Sequence, residues 1–226
     1  MELGFQIEPL INRPDRSLID AFQDAATAHI SDNMSRLYAG GSGLRPYHAT
    51  TRILGTAFTV KTRPGDNLLM HKALDMAEPG DVIVVDAGGD LTNAIAGEIM
   101  MRWAQKKGLA GFVIDGAIRD SGASCLQTFP VFARGITHRG PYKDGPGTIN
   151  LPVTIGEMHV HPGDIIVGDE DGLIAIPKAE AEEMIRKLHA QQAKEEAIMR
   201  SIEEGTLDRS WVDQALTEKG CVLPRE

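Results

Sequence analysis

The chain has two cysteines in 226 residues, Cys125 and Cys221, far apart and without CxxC spacing. Neither a disulfide framework nor a zinc knuckle can be built from them, neither stands in a nucleophile's sequence setting, and a reducing cytoplasm is the expected compartment. Basic residues are also in the minority: 23 Lys and Arg stand against 32 Asp and Glu, a formal charge of −9. A surface of that sign repels phosphates, which argues against direct nucleic-acid binding. No apolar run approaches membrane-spanning length, and the opening MELGFQIEPLINRP lacks the basic start and apolar core of a leader. A soluble, unexported protein with no membrane partner is expected. GxGxxG and GxxxxGK(S/T) are absent, which removes dinucleotide and P-loop readings.

What is present is enough apolar material, 42% of positions, for one substantial core, and neither a Ser/Gly linker nor a charge block divides the chain. The reading is one α/β domain over residues 1–226, with a core at about 16–177 and a C-terminal helix at about 178–204. Helical patterns are expected at 16–26 and from Ser31 or Asp32 to near Gly40, then a strand at 53–62 and a helix at 67–77. A strand at 82–86 ends in Gly88 and Gly89, and a helix at about 92–107 would put Ala96, Ile99, Met100, Trp103 and Ala104 on one stripe. A strand at 112–115, a short helix near 119–127 and a strand at 130–135 complete a β-α-β-α-β-α-β order. From 137 to 177 short strand-like pieces separated by Gly and Pro predict hairpins or a small β-layer. PGDVIVVD at 79–86 and PGDIIVGD at 162–169 read as a repeated turn feeding a strand. The last helix is charged, and Ala181, Met184, Ile185 and Leu188 give it only a narrow apolar stripe, so it is expected to leave its own subunit and pack on a neighbour.

Two apolar strands that each stop at Asp and glycine place Gly88, Gly89, Asp115, Gly116, Arg119 and Asp120 at the carboxyl edge of a parallel sheet, where ligands bind in open α/β folds. Arg119 can grip a carboxylate with two N–H bonds, and Asp120 can give one oxygen to a hard divalent cation that keeps most of its waters. The alternative is a surface ion pair with Asp120 as a helix cap. Glu98 lies in Gly97-Glu98-Ile99-Met100 and is expected to face the same edge; otherwise it is an ordinary solvated glutamate. His159 and His161 share a strand face without an evident third metal ligand. The run from Gly168 to Gly172 has a calcium-loop look but lacks the twelfth-position glutamate and fits a tight hairpin. His138, Arg139 and Lys143 are candidates for an anionic substrate tail.

Gly-Gly, then Ala-x-x-Gly-Glu, then Gly-x-x-Gly-x-Val-x-Asp-Gly-x-x-Arg-Asp, followed by Phe-Pro-Val-Phe and Pro-Gly-Asp-x-x-x-Gly-Asp-x-Asp-Gly, resembles the RraA-like family from about Asp66 to Glu204. The family includes class II pyruvate aldolases acting on 4-hydroxy-4-methyl-2-oxoglutarate and 4-carboxy-4-hydroxy-2-oxoadipate. The resemblance implies an α/β sandwich like the phosphohistidine (swivelling) domain, assembled as a trimer or a dimer of trimers. It puts Asp120 at the position of the sole protein ligand of Mg²⁺ or Mn²⁺ and Arg119 at that of the pyruvate-holding arginine. The family's Gly-Asp-x-Leu loop falls on Gly97, Glu98, Ile99 and Met100, with Glu98 in place of the aspartate. A glutamate borrowed from the neighbouring subunit's C-terminal helix matches Glu195, with Glu196 next to it. The implied activity is cleavage of a 4-hydroxy-2-oxo acid to pyruvate and a second 2-oxo acid, with oxaloacetate decarboxylation beside it. The family also includes RraA, which inhibits a ribonuclease by protein contact and differs at the metal position, where this chain keeps Asp120.

Overall fold

The computed structural model describes residues 4–10, 12–49 and 52–224. Backbone contacts divide the chain into two compact units, Met1–Arg186 and Lys187–Glu226. In order, the first unit opens with β1 (Phe5–Ile7), α1 (Arg16–Asp20), α2 (Thr27–Asn33), β2 (Arg45–Pro46), β3 (Ile53–Thr62) and α3 (Leu68–Met76). It continues with β4 (Asp81–Asp86), β5 (Ala94–Ala96), α4 (Glu98–Lys107), β6 (Gly111–Ile118), β7 (Val131–Ile136) and β8 (Gly147–Ile149). Then come β9 (Val153–Ile155), β10 (Met158–Val160), β11 (Ile165–Asp169), β12 (Gly172–Ile176) and the start of α5 (Ala181–Glu203); the second unit holds the rest of α5 and α6 (Ser210–Glu218).

A ten-stranded mixed sheet runs β1-β8-β3-β4-β6-β7-β2, with β11 paired to β3 and β12, and β5 paired to β6. Its centre, β3-β4-β6-β7, is parallel. The alternation along these strands explains why a nearly unbroken β-branched run was needed. Ile83, Val85, Phe112, Ile114, Val131 and Ala133 face a core closed by α3 and α4. Val82, Val84, Val113 and Phe132 face a second core, closed by the β9-β10 hairpin through Val153, Ile155, Met158 and Val160. Each large aliphatic side chain withdrawn from water there contributes roughly 1.5–3 kcal/mol. The expected α/β class, the strand at 53–62, the helix at 67–77 and the small β-pieces after 137 all appear.

Four expectations need correction. The helix expected at 16–26 stops after Asp20, and α2 starts at Thr27 because the Asp169 carboxylate takes the Thr27 N–H (2.8 Å). No helix runs from Ser31 or Asp32 toward Gly40, because Ser35 and Arg36 adopt left-handed backbone (φ 57° and 62°), which an α-helix of L-residues does not tolerate. Residues 94–96 are strand rather than helix: fully buried, they pair with β6, and α4 begins only at Glu98. Only a 3₁₀ turn, Ser124–Gln127, forms where a helix from 119 was expected. The strands β1 and β2 and helix α6 carried no signal that was read. Among the described residues no helix is long and apolar enough to cross a membrane.

The stripe on α4 also divides. Met100, Met101 and Ala104 are buried, whereas Ile99 and Trp103 are 82% and 54% exposed. These two sit one turn apart on the side of α4 turned away from its own core.

Candidate functional site

The site lies where β5 and β6 end. Ala94 pairs with Ala117 and Ala96 with Ile118, so the two strands deliver Gly97 and Arg119 side by side, and the Arg119 N–H bonds the Ala96 carbonyl (2.9 Å). Gly97 then holds extended backbone (φ −149°, ψ −171°) and α4 starts at the next residue. A side chain at Gly97 has no room: its Cβ would lie 2.5 Å from Asp120 Oδ2, 2.9 Å from Arg119 Cγ and 3.0 Å from Arg119 Nε.

Asp120 adopts left-handed backbone (φ 59°), a conformation that Asp tolerates better than most residues. This turns its carboxylate toward α4, where Oδ2 accepts the Glu98 N–H at 3.0 Å. Asp120 thus caps the N-terminus of α4 rather than a helix of its own, and it complements the positive end of the α4 dipole. Arg119 Nε lies 3.7 Å from Asp120 Oδ2, and the two side chains remain 41% and 45% exposed. The sequence alternatives therefore coincide: Asp120 is both a helix cap and an accessible carboxylate. The Glu98 side chain turns along α4, where Oε1 accepts a bond from Arg102 (2.7 Å), and Arg102 also reaches Ser124 Oγ (2.9 Å).

Beside this pair opens a cavity of about 170 Å³ lined by Asn67, Gly97, Met100, Arg119 and Lys143, among others. His71, Ile99 and Pro141 complete its rim. Of the proposed substrate-loop residues, Gly97, Ile99 and Met100 line it and Glu98 does not. Asn67 donates to the Ile95 carbonyl (2.9 Å), while its Oδ1 is buried and has no partner among the described residues. Burial, and then the Lys143 ammonium, push the His71 imidazole below its ordinary value, with Asp75 opposing. The cavity is therefore cationic through Arg119 and Lys143, within a chain of net charge −9.

Asn67 and His71 were not singled out in the sequence, although they follow the carboxyl end of β3 and the rule applied to β4 and β6 would have found them. Of the three residues considered for a substrate tail, Lys143 lines the cavity, while His138 and Arg139 are exposed outside its lining. Asp115 faces the other side of the sheet and is paired with Arg134. Glu195, on α5 in the second unit, accepts a bond from Gln191 Nε2 (2.8 Å), and Glu196 one from Gln192 Nε2 (3.2 Å). His159 is held by Thr154 (3.1 Å). The 168–172 run is a β11-β12 hairpin whose Asp169 is taken by Thr27 and the Asp171 N–H. Among the described residues no three His, Cys, Asp or Glu side chains gather as a metal cage. A lone, accessible carboxylate at Asp120 nevertheless fits Mg²⁺ or Mn²⁺, hard ions bound through one or two carboxylates with waters filling the remaining positions.

Comparison with known proteins bears on the family and the fold. A protein of Halalkalibacterium halodurans, whose name provisionally makes it a 4-hydroxy-4-methyl-2-oxoglutarate aldolase, is 42% identical over 87% of this chain and 94% of its own length. The 4-hydroxy-4-methyl-2-oxoglutarate aldolase of Thermus thermophilus is 32% identical over 69% of this chain and 94% of its own. Among solved structures, an uncharacterized protein from Pseudomonas syringae superposes with TM-score 0.78 at 28% identity, covering 87% of this chain and 92% of that one. The RNA-processing inhibitor RraA from Thermus thermophilus gives 0.63 at 31% identity, covering 68% and 93%. A family profile described as RraA-like, Aldolase/RraA, matches residues 27–175. With that match over most of the chain and the same fold in its neighbours, the protein belongs to the RraA-like family.

Proposed function

We propose that the protein is a divalent-metal-dependent aldolase cleaving a 4-hydroxy-2-oxo di- or tricarboxylic acid, such as 4-hydroxy-4-methyl-2-oxoglutarate, to pyruvate and a second 2-oxo acid. The observation that carries this reading is the Arg119–Asp120 pair at the N-terminus of α4, with Arg119 lining a cavity that Lys143 also lines. Relatives named as aldolases support it. Asp120 would hold the Mg²⁺ or Mn²⁺, which when bound supplies positive charge beside the substrate's carboxylate and keto oxygens.

The remaining work falls to the chain's own groups. Arg119 grips the carboxylate of the pyruvyl half, and the positive end of α4 favours the same anion. The C4 hydroxyl loses its proton, the C3–C4 bond breaks, C4 becomes the carbonyl of the second product, and the electron pair passes into the pyruvate enolate, whose negative charge Arg119 stabilises. Protonation at C3 then completes pyruvate. Glu98, or Glu195 or Glu196 brought by a second copy, is the carboxylate proposed to take the hydroxyl proton. Lys143 reads the carboxylate of the other half. Oxaloacetate decarboxylation forms the same enolate and is proposed as a side activity; a lyase or decarboxylase for a related 2-oxo acid uses the same machinery. The proposed assembly is a homotrimer or a pair of trimers.

A second reading, a regulator that binds a ribonuclease, draws on two solved relatives: the Thermus RraA and Streptomyces coelicolor RraAS2, described as an unusual member of the RNase ES inhibitor family (27% identity, TM-score 0.75, covering 82% and 97%). The test is pyruvate release from 4-hydroxy-4-methyl-2-oxoglutarate and from oxaloacetate, with added Mg²⁺ or Mn²⁺ and with chelator. Chelator-sensitive release from the first acid is expected. Release from oxaloacetate alone shifts the reading to a decarboxylase, and none from either to the regulator.

A further inference from the structure

The sequence uses Pro-Gly-Asp three times, at 64–66, 79–81 and 162–164, and each glycine takes left-handed backbone. In two of these turns the Asp accepts the N–H three residues back, Asp81 from Glu78 (2.8 Å) and Asp164 from His161 (2.8 Å), and their remaining partners are the Arg13 side chain and the Lys178 N–H. The first turn is built differently. Asp66 is 0% exposed, and its Oδ2 accepts the N–H groups of Asp144 (2.7 Å) and Gly145 (3.0 Å), nearly eighty residues away. Its Oδ1 accepts the Leu68 N–H (2.9 Å), and Arg63 reaches Oδ2 at 3.2 Å. Two backbone bonds run alongside, Tyr142 N–H to the Gly65 carbonyl (2.9 Å) and Asn67 N–H to the Tyr142 carbonyl (3.0 Å).

The segments joined in this way are two walls of the cavity. One carries Asn67 and His71, the other Pro141 and Lys143. Loop 141–145 has no regular structure beyond the Asp66–Tyr142 bridge, and Tyr142 and Lys143 themselves are exposed. We propose that Asp66 is a positioning residue: its buried carboxylate fastens the loop that carries Lys143 to the segment that carries Asn67, and so fixes the half of the cavity that receives the part of the substrate distant from Arg119. The inference rests on the proposed reaction for its substrate. Burial opposes ionisation of Asp66, but the three backbone N–H groups and Arg63 outweigh it and hold the carboxyl below its ordinary value, so the charged form is the one the staple uses.

The experiment compares wild type, Asp66→Asn, Lys143→Ala, the double variant and Asp144→Ala, all full length. Asp144→Ala serves as a control because it keeps the Asp144 N–H and removes an exposed side chain that meets Arg63 at 3.6 Å. For Asp66→Asn, KM for 4-hydroxy-4-methyl-2-oxoglutarate is expected to rise about tenfold while kcat changes less than about threefold. In the Lys143→Ala background the same change should add no more than about twofold, since both act on one contact. Hydrogen exchange at Asp144 and Gly145 should quicken in Asp66→Asn and not in Asp144→Ala. An unchanged KM, an additive double variant, or unchanged exchange overturns the inference while leaving the reaction standing. A wild type that releases no pyruvate while exchange still quickens removes the reaction and leaves Asp66 as the fastening of the two walls. Should Asp66→Asn fail to fold, Asp144→Pro removes the Asp144 N–H from an exposed position whose backbone is not left-handed, and is expected to raise KM in the same direction; no rise overturns the inference.

Discussion

At Gly97 the geometry of a single missing Cβ holds the site together. The backbone there is extended, which alanine adopts freely, yet its Cβ would press on Asp120 Oδ2 and on two atoms of Arg119. Gly97→Ala is therefore expected to fold with little change in Tm and to lose about a hundredfold in kcat/KM, since a shift near 1 Å in positioned groups has an effect of that order. A large fall in Tm with normal kcat/KM in the folded fraction would contradict it. Asp120 needs its two roles separated. Asp120→Asn keeps an oxygen for the Glu98 N–H and a side chain suited to left-handed backbone, so stability should hold, whereas Asp120→Ala should lose about 1 kcal/mol of capping, or a few degrees in Tm. Thermal melts of the two variants check this. His71, held below its ordinary value by burial and Lys143, stays neutral at pH 7 and gains charge only at a pH below the usual 6.5. The pH profile of KM should bend on that acid side, and the bend should vanish in His71→Gln.

Among the elements, those whose signal is local were legible and those fixed by distant partners were not. The strands at 53–62 and 82–86 and the helix at 67–77 were found within a residue, because the Pro-Gly-Asp turns at 64–66 and 79–81 and the Gly88-Gly89 pair mark where each begins or ends. The three residues of β5 were mistaken for a helix start, since Ala-Ile-Ala suits either state and only the pairing with β6 decides. The start of α2 is set by Asp169, 142 positions away, which no window of sequence contains. The site followed the same division. Arg119 and Asp120 could be read as neighbours at a strand end, but Asn67, His71 and Lys143 come to the cavity on separate segments. The staple at Asp66 makes one further difference at this scale. A carboxyl depressed in the folded state stabilises above its unfolded value and loses that contribution as pH falls through the folded one. Acid titration of stability should thus be steeper for wild type than for Asp66→Asn below about pH 3.8. Equal slopes would show that the buried carboxyl is not ionised.

Across the whole molecule, a chain of net charge −9 places two cationic groups, Arg119 and Lys143, at one cavity and leaves Ile99 and Trp103 exposed beside it. Large apolar side chains left next to a site suit contact with a second copy, as the proposed trimer requires. Mass measurement in solution should give a multiple of three, and a stable, fully active monomer would contradict that assembly. The α/β fold and the family are common to proteins named as aldolases and as ribonuclease inhibitors, so they do not select the activity, and Asp120 is the residue at which the proposed activity is tested. The most direct test is the rate of pyruvate release from 4-hydroxy-4-methyl-2-oxoglutarate with saturating Mg²⁺ or Mn²⁺, measured for wild type and for folded Asp120→Asn. The account predicts a loss of roughly a hundred- to a thousandfold or more in the variant, with wild-type release abolished by chelator. Release by Asp120→Asn at the wild-type rate, or wild-type release undiminished in excess chelator, would contradict it.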